Sequence, residues 1–314
     1  MSVLIVLSVS AALGLAPSAL DRLAARIPPR IVATLDLFAL TAAAAVMTGT
    51  MMMLAAPPIL RLLELDVLAG VCDRLLFHLG VALPPTIGWV GPAGLIWIGM
   101  RLVWSSARTG RFERRMRDAL AGTRATTFGV PYPVVIVDVD HMTAFSVGGP
   151  DGVIVVSRCL ADALDEGEMA MVLHHEATHV RHRHGRMLRR ITALEAAFGH
   201  LPGFKRAAHS TRLAIERWAD ETAIEEAGCD RVVATRALLK ATSVTPSATP
   251  SLSNVDSILQ RLAALANPPA GSRVWHGLLA GAGLLATGMF GVVGFYSWVS
   301  HGHAALALAG WCPT

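Results

Sequence analysis

Residues 165–185 read Asp-Glu-Gly-Glu-Met-Ala-Met-Val-Leu-His-His-Glu-Ala-Thr-His-Val-Arg-His-Arg-His-Gly, and at their centre stands His175-Glu176-Ala177-Thr178-His179, the pattern H-E-x-x-H. Asp165 with Glu168 three residues later has the form of a capping box, and Gly185 suits a C-terminal stop, so the stretch predicts one helix across the motif. Met169, Val172, Leu173, Ala177 and Val180 recur at three- and four-residue spacing and give that helix a face to bury. His175 and His179 lie off this stripe, facing a cleft. On a helix the two imidazoles stand one turn apart, roughly 6 Å between Cβ atoms, close enough to share one zinc ion (Zn2+). Glu176 is then next to the metal without having to ligate it. It is placed to take a proton from a zinc-bound water, whose pKa the metal lowers to about 7.

Zinc in a hydrolase needs a third protein ligand while one position stays open for water. Glu216 is the expected ligand, in Glu216-Arg217-Trp218-Ala219-Asp220. A helix there puts Asp220 on the same face one turn later, where it can accept a hydrogen bond from a ligating imidazole and fix its tautomer. Glu195 competes by proximity but has nothing acidic one turn on. His182 shares the face of His175 and His179, yet lies about 10 Å along the axis from His175, too far for one ion on a straight helix. No glycine stands where it would swing a third histidine back. His174, His182 and His184 are therefore expected to form, with Arg181, Arg183 and Arg186, a solvated or lipid-facing basic patch.

Upstream, Pro133 to Val139 and Gly152 to Ser157 are short β-branched runs bounded by Gly, Pro and Asp, and Thr143 to Val147 leads into a glycine-rich turn, so three strands are expected. Ala144, Phe145, Ser146, Val147 and Gly148 are the candidate sheet edge that holds an extended substrate through main-chain hydrogen bonds. Downstream, a helix from about Thr211 to Ala227 ends before Gly228, Thr242 to Asn254 reads as a loop, and Asn267 to Ser272 as a linker.

The 314 residues are 53% hydrophobic and 16% charged, with a mean hydropathy of +0.51, which excludes an ordinary soluble domain. Four apolar stretches reach the roughly 20 residues that a bilayer demands: Ser2 to Leu20, Ile31 to Leu54, Thr86 to Trp104 and Val274 to Ser300. The first has no Lys or Arg ahead of its apolar run, so it reads as a retained helix rather than a cleaved signal peptide. Asp36 lies near one end of the second, within reach of the interface. Arg61 to Leu83 is apolar but interrupted by charge, as in an amphipathic or re-entrant segment. Arginines at 22, 26 and 30 and again from 108 to 117 mark cytoplasmic loops. The expected order is three spans within 1–104 with an extracytoplasmic segment at 61–85, a cytoplasmic domain over 105–273, a fourth span over 274–300 and an outside tail over 301–314. The net charge of +4 reflects the topology arginines, so no direct nucleic-acid contact is expected. Cys72 and Cys312 fall on the outside, where a disulfide or two buried thiols both remain open.

With these residues in view, the chain resembles the BlaR/MecR-type membrane metallopeptidases, and is similar to the HtpX-type membrane proteases in the motif region. The resemblance rests on Ala144-Phe145-Ser146-Val147-Gly148-Gly149, on Ser157 through Asp165-Glu166 ahead of the motif, on Glu216 to Asp220, and on three spans before and one after the domain. It implies an α-helical membrane protein with four transmembrane helices and an α+β, gluzincin-like zinc peptidase domain inserted between the third and fourth. It implies self-cleavage and cleavage of a DNA-binding repressor, triggered when a penicillin-binding sensor is acylated. That sensor needs Ser-x-x-Lys after the last span, whereas Lys205 and Lys240 are preceded three residues earlier by Pro202 and Ala237. Sensing by acylation is not expected here. The function expected is a zinc endopeptidase in the cell membrane acting on a cytoplasmic or membrane-associated protein, a repressor among the candidates. The alternatives are HtpX-like quality control of membrane proteins, or a non-catalytic zinc clasp in a sensor or scaffold. The bilayer is an expected partner, and a homo-oligomer is left open.

Overall fold

An apolar run opening on Pro29, where a first-turn proline forfeits no hydrogen bond, forms α1 (Pro29–Leu62). The structure is a computed structural model that describes residues 27–78, 88–148, 152–241 and 252–266. The first and fourth expected spans, the 267–272 linker, the tail and Cys312 lie outside these residues. Among the described residues α1 is the one helix long and apolar enough to cross a membrane, which supports membrane association. A turn with Glu64 at φ 59° leads into α2 (Asp66–His78), within the segment read as amphipathic. α3 (Val90–Leu120) then runs unbroken from within the third expected span into the basic helix after it, without reaching the apolarity of α1. The boundary drawn at 104/105 therefore falls inside a continuous helix. A Cβ on Gly91 would stand 2.4 Å from the backbone nitrogen of Ala55, so glycine is what lets α3 approach α1.

Strands follow at β1 (Ala125–Thr126), β2 (Val134–Val137), β3 (Ala144–Val147) and β4 (Val153–Ser157). The last three fall within the three strands expected from the sequence, two at β-branched runs and β3 ahead of the glycine-rich turn. The short β1 carries no such signal. The sheet order is β1-β2-β4-β3, with β2 parallel to β4 and β3 antiparallel to it, Phe145 opposite Val155. β3 is thus an edge strand. Ser157 caps α4 (Arg158–Ala163) by accepting from the Leu160 N–H, and α5 (Glu166–Arg181) is the motif helix. After it come α6 (His184–Phe198), α7 (Pro202–Ala227), α8 (Arg231–Ala241) and α9 (Leu252–Ala266).

α5 begins as expected, with both halves of the Asp165–Glu168 capping box formed. Its other end differs from the sequence reading. The helix stops at Arg181, the chain turns at Arg183 with φ 56° and ψ 37°, and Gly185 lies inside the first turn of α6. The His182 and Arg183 amides satisfy the carbonyls of Thr178 and Val180, so the left-handed residue is an arginine, at a cost of roughly 1–2 kcal/mol. α7 ends at Gly228, φ 61°, as read, but starts at Pro202 rather than Thr211. Within the Ser/Thr/Pro-rich segment read as a loop to Asn254, the helix α9 already begins at Leu252.

Three apolar clusters hold these elements. Leu40, Ala43, Ala44, Ile98, Phe198 and Phe204 join α1 and α3 to α6 and α7. Val134, Ile154, Val156, Leu160, Leu173 and Ala177 seal the sheet against α4 and α5. Met171, Val172, Ala223, Leu238 and Leu265 join α5 to α7, α8 and α9. Asp36, expected to reach the interface, is instead fully buried and accepts a hydrogen bond from Ser210 Oγ on α7 at 3.1 Å. An apolar helix carries a carboxylate at low cost only where a partner meets it.

Candidate metal centre

Two helices build the site. Along α5 the buried face of Met171, Val172, Leu173, Ala177 and Val180 fixes the rotation of the helix and turns His175 and His179 to the other side. Along α7 the buried Ile215, Ala219 and Ala223 do the same for Glu216 and Asp220. His175 Nε2 and His179 Nε2 stand 3.1 Å apart. The Glu216 carboxylate lies 3.5 Å from the first and 3.8 Å from the second. Among the described residues these three side chains form the one group of at least three potential donors whose atoms all lie within 4.8 Å of each other. Two neutral imidazoles and a carboxylate are a donor set that suits Zn2+, and three protein ligands leave a coordination position for water.

The backing of the donors is asymmetric. His175 donates through Nδ1 to Asp220 Oδ1 at 3.0 Å, and Asp220 receives Arg261 Nε at 2.8 Å and Nη2 at 2.6 Å. Arg261 Nη1 reaches Glu216 Oε2 at 3.2 Å. Burial alone would lower the pKa of His175, but its hydrogen bonds to Asp220 and Glu216 outweigh that and push it up to about 10. Burial would raise Glu216 and Asp220, yet His175 and Arg261 hold both below the ordinary carboxylate range. Without a metal, His175 therefore keeps a proton on Nε2 facing Glu216, in the direction that a cation would take. His179 is lowered by burial. Glu176, next in the chain to His175, is buried, and its charge acts on both His179 and Arg261.

Two residues near this centre escaped the sequence reading. Arg261 sits on α9, between the Ser/Thr/Pro-rich segment and the 267–272 linker, where no element is expected from the sequence. The spacing of Val255, Ile258, Leu262 and Leu265 was the signal for that helix. His184, expected on a solvated basic patch, is wholly buried, its Nδ1 3.1 Å from His179 Nδ1. The rest of that patch is closer to expectation: Arg181, His182, Arg183 and Arg186 are exposed, and His174 pairs with Glu226 at 3.3 Å. Burial, with help from His179 and His182, lowers the pKa of His184 to about 3. Glu195, the competing ligand, is engaged by Arg212 at 2.6 Å, outside the donor group. Ala144 to Val147 form β3 with Gly148 just after it, and α5 packs beside that edge.

Residues 106–245 match the family model for Peptidase family M48, a family of zinc metallopeptidases. The matched stretch holds the sheet, the motif helix and Glu216 through Asp220; Arg261 lies beyond it. The match supports a metallopeptidase. No curated protein matches the chain.

Proposed function

We propose that this chain is a zinc metalloendopeptidase of the cell membrane, its catalytic domain on the cytoplasmic side, cleaving a cytoplasmic or membrane-associated protein in a regulatory step. One observation carries the reading: His175 Nε2, His179 Nε2 and the Glu216 carboxylate converge from two helices on one point. A non-catalytic clasp would close the fourth coordination position with a fourth protein ligand, whereas the donor group among the described residues has three. Membrane location is supported by α1 and by apolar side chains that face outward on α1, α2 and α3, among them Phe38, Leu62, Val67, Ile96 and Val103 at 70–81% exposure. A DNA-binding repressor is the substrate class that the resemblance favours.

Zinc held by these three residues would supply Lewis acidity and a water acidic enough to attack at neutral pH. The chain supplies the rest. β3 offers its free edge to the backbone of an extended peptide, which suits a protease indifferent to most side chains. Glu176 takes a proton from the attacking water as the carbonyl carbon gains its new C–O bond. It returns that proton to the amide nitrogen as the C–N bond breaks, leaving a carboxylate and an amine. Asp220 keeps the Nδ1 proton on His175, so that Nε2 presents a lone pair.

The test compares wild type with Glu176→Gln in cells, reading zinc content of the purified chain and the proteome-wide set of new N-termini. Glu176→Gln should keep its zinc and lose cleavage by at least ~100-fold. Equal cleavage by the two proteins contradicts the mechanism. Scattered cleavage of many membrane proteins, rather than a few sites, assigns the enzyme to quality control instead.

A further inference from the structure

The imidazole behind the second metal-facing histidine is unassigned by any motif. His179 turns Nε2 toward His175 and Glu216, so its other nitrogen, Nδ1, points away from the donor group. What it meets is His184 Nδ1 at 3.1 Å, with the two rings edge to face at 84° and 4.9 Å between centroids. Two ring nitrogens at that distance share one proton, and which ring owns it decides what His179 can do. If His184 owns it, His179 carries its own proton on Nε2 and has no lone pair for a metal. If His179 owns it, Nε2 is bare.

The surroundings of His184 are built to hold a ring still. It is completely buried, Trp218 of α7 lies against it at 4.6 Å between centroids, and His182 stacks on it at 5.9 Å. Its Nε2 is buried without a hydrogen-bond partner among the described residues. A buried polar atom left unsatisfied is costly, so the position is hard to explain by packing alone, where a phenylalanine would serve without that cost. The backbone also bends to deliver it. Arg183 takes a left-handed conformation that favours glycine, and this is what carries His184 back to His179 five residues after it.

We propose that His184 is a positioning residue for the metal centre: its Nδ1 accepts the Nδ1–H of His179 and holds that ligand in the tautomer that presents a bare Nε2. His184 then stands to His179 as Asp220 stands to His175. The neutral imidazole adds no negative charge next to Glu176. The inference rests on the zinc-site reading above.

The experiment measures zinc affinity of the full chain in detergent by competition with a chromogenic chelator, with thermal unfolding of the zinc-free protein recorded alongside. The variants are His184→Asn, whose side-chain oxygen can stand where Nδ1 stands, His184→Gln, an equally polar amide whose oxygen stands one bond farther out, and His184→Phe. Wild type and His184→Asn should agree within about threefold, while His184→Gln and His184→Phe weaken zinc by roughly 10–100-fold at unchanged unfolding of the zinc-free chain. Equal affinity in His184→Asn and His184→Gln, even if His184→Phe fails to fold, overturns the positioning role. So does wild-type affinity in a folded His184→Phe. If wild type itself takes up no zinc, the metal-site reading fails and the inference falls with it; if wild type binds and only the variant series is flat, the inference alone fails.

Discussion

The two imidazoles of the centre are supported in opposite ways. His175 leans on charge: Asp220 holds its Nδ1, Arg261 holds Asp220, and the three groups come from α5, α7 and α9. His179 leans on a neutral neighbour five residues along the same stretch of chain, set in place by one left-handed turn and the face of Trp218. The first arm ties the metal site to tertiary structure and to pH. The second is built from a neutral ring close in the chain, with Trp218 of α7 against it. An aspartate in place of His184 would add a further negative charge to a pocket that already holds Glu216, Glu176 and Asp220, with Arg261 beside them.

Breaking the charged arm should have the largest effect. Asp220→Ala removes the anchor of His175 and leaves the guanidinium of Arg261 buried without its bidentate partner. Zinc affinity should fall by about 10–100-fold, and zinc-free stability by about 3–5 kcal/mol, read by chelator competition and denaturant unfolding. Loss of zinc affinity without loss of stability would mean that Arg261 is not held by this pair.

The two arms should next separate by pH. His175 has a folded-state pKa of about 10 against an ordinary value near 6.5, so its contribution to zinc-free stability is complete below about pH 6.5 and is lost as pH rises toward about 10. Zinc must displace the Nε2 proton, so apparent zinc affinity rises over the same window, by up to about tenfold per pH unit. Melting of the zinc-free chain from pH 6 to 10 checks the first, and Asp220→Ala should flatten the curve.

The smallest effect belongs to the turn that serves the neutral arm. Arg183→Gly keeps the left-handed backbone and relieves its strain, so zinc affinity should not change and stability should rise by at most about 1 kcal/mol. Arg183→Val, a β-branched residue in the same conformation, should lower both.

The motif helix, its capping box, three of the four strands and the pairing of Glu216 with Asp220 were legible because each rests on local spacing. What was not legible depends on the chain returning from a distance or turning without its usual residue. Gly185 is the natural stop for α5, yet the turn sits at Arg183, where the amides of His182 and Arg183 close the end of the helix first. Arg261 could not be assigned from sequence because nothing local to α9 indicates that it meets Asp220, 41 residues away. Asp36 lies near the end of an apolar run, which suggests an interfacial position, whereas the buried carboxylate meets Ser210, 174 residues on.

If His175 and His179 from one helix and Glu216 from another hold a single zinc ion, metal content per chain shows it, by mass spectrometry of the purified full-length protein, in wild type, Glu216→Ala and Glu195→Ala. Wild type and Glu195→Ala should each carry one zinc, and Glu216→Ala should lose it. Zinc retained by Glu216→Ala, or lost with Glu195→Ala, would contradict this ligand set.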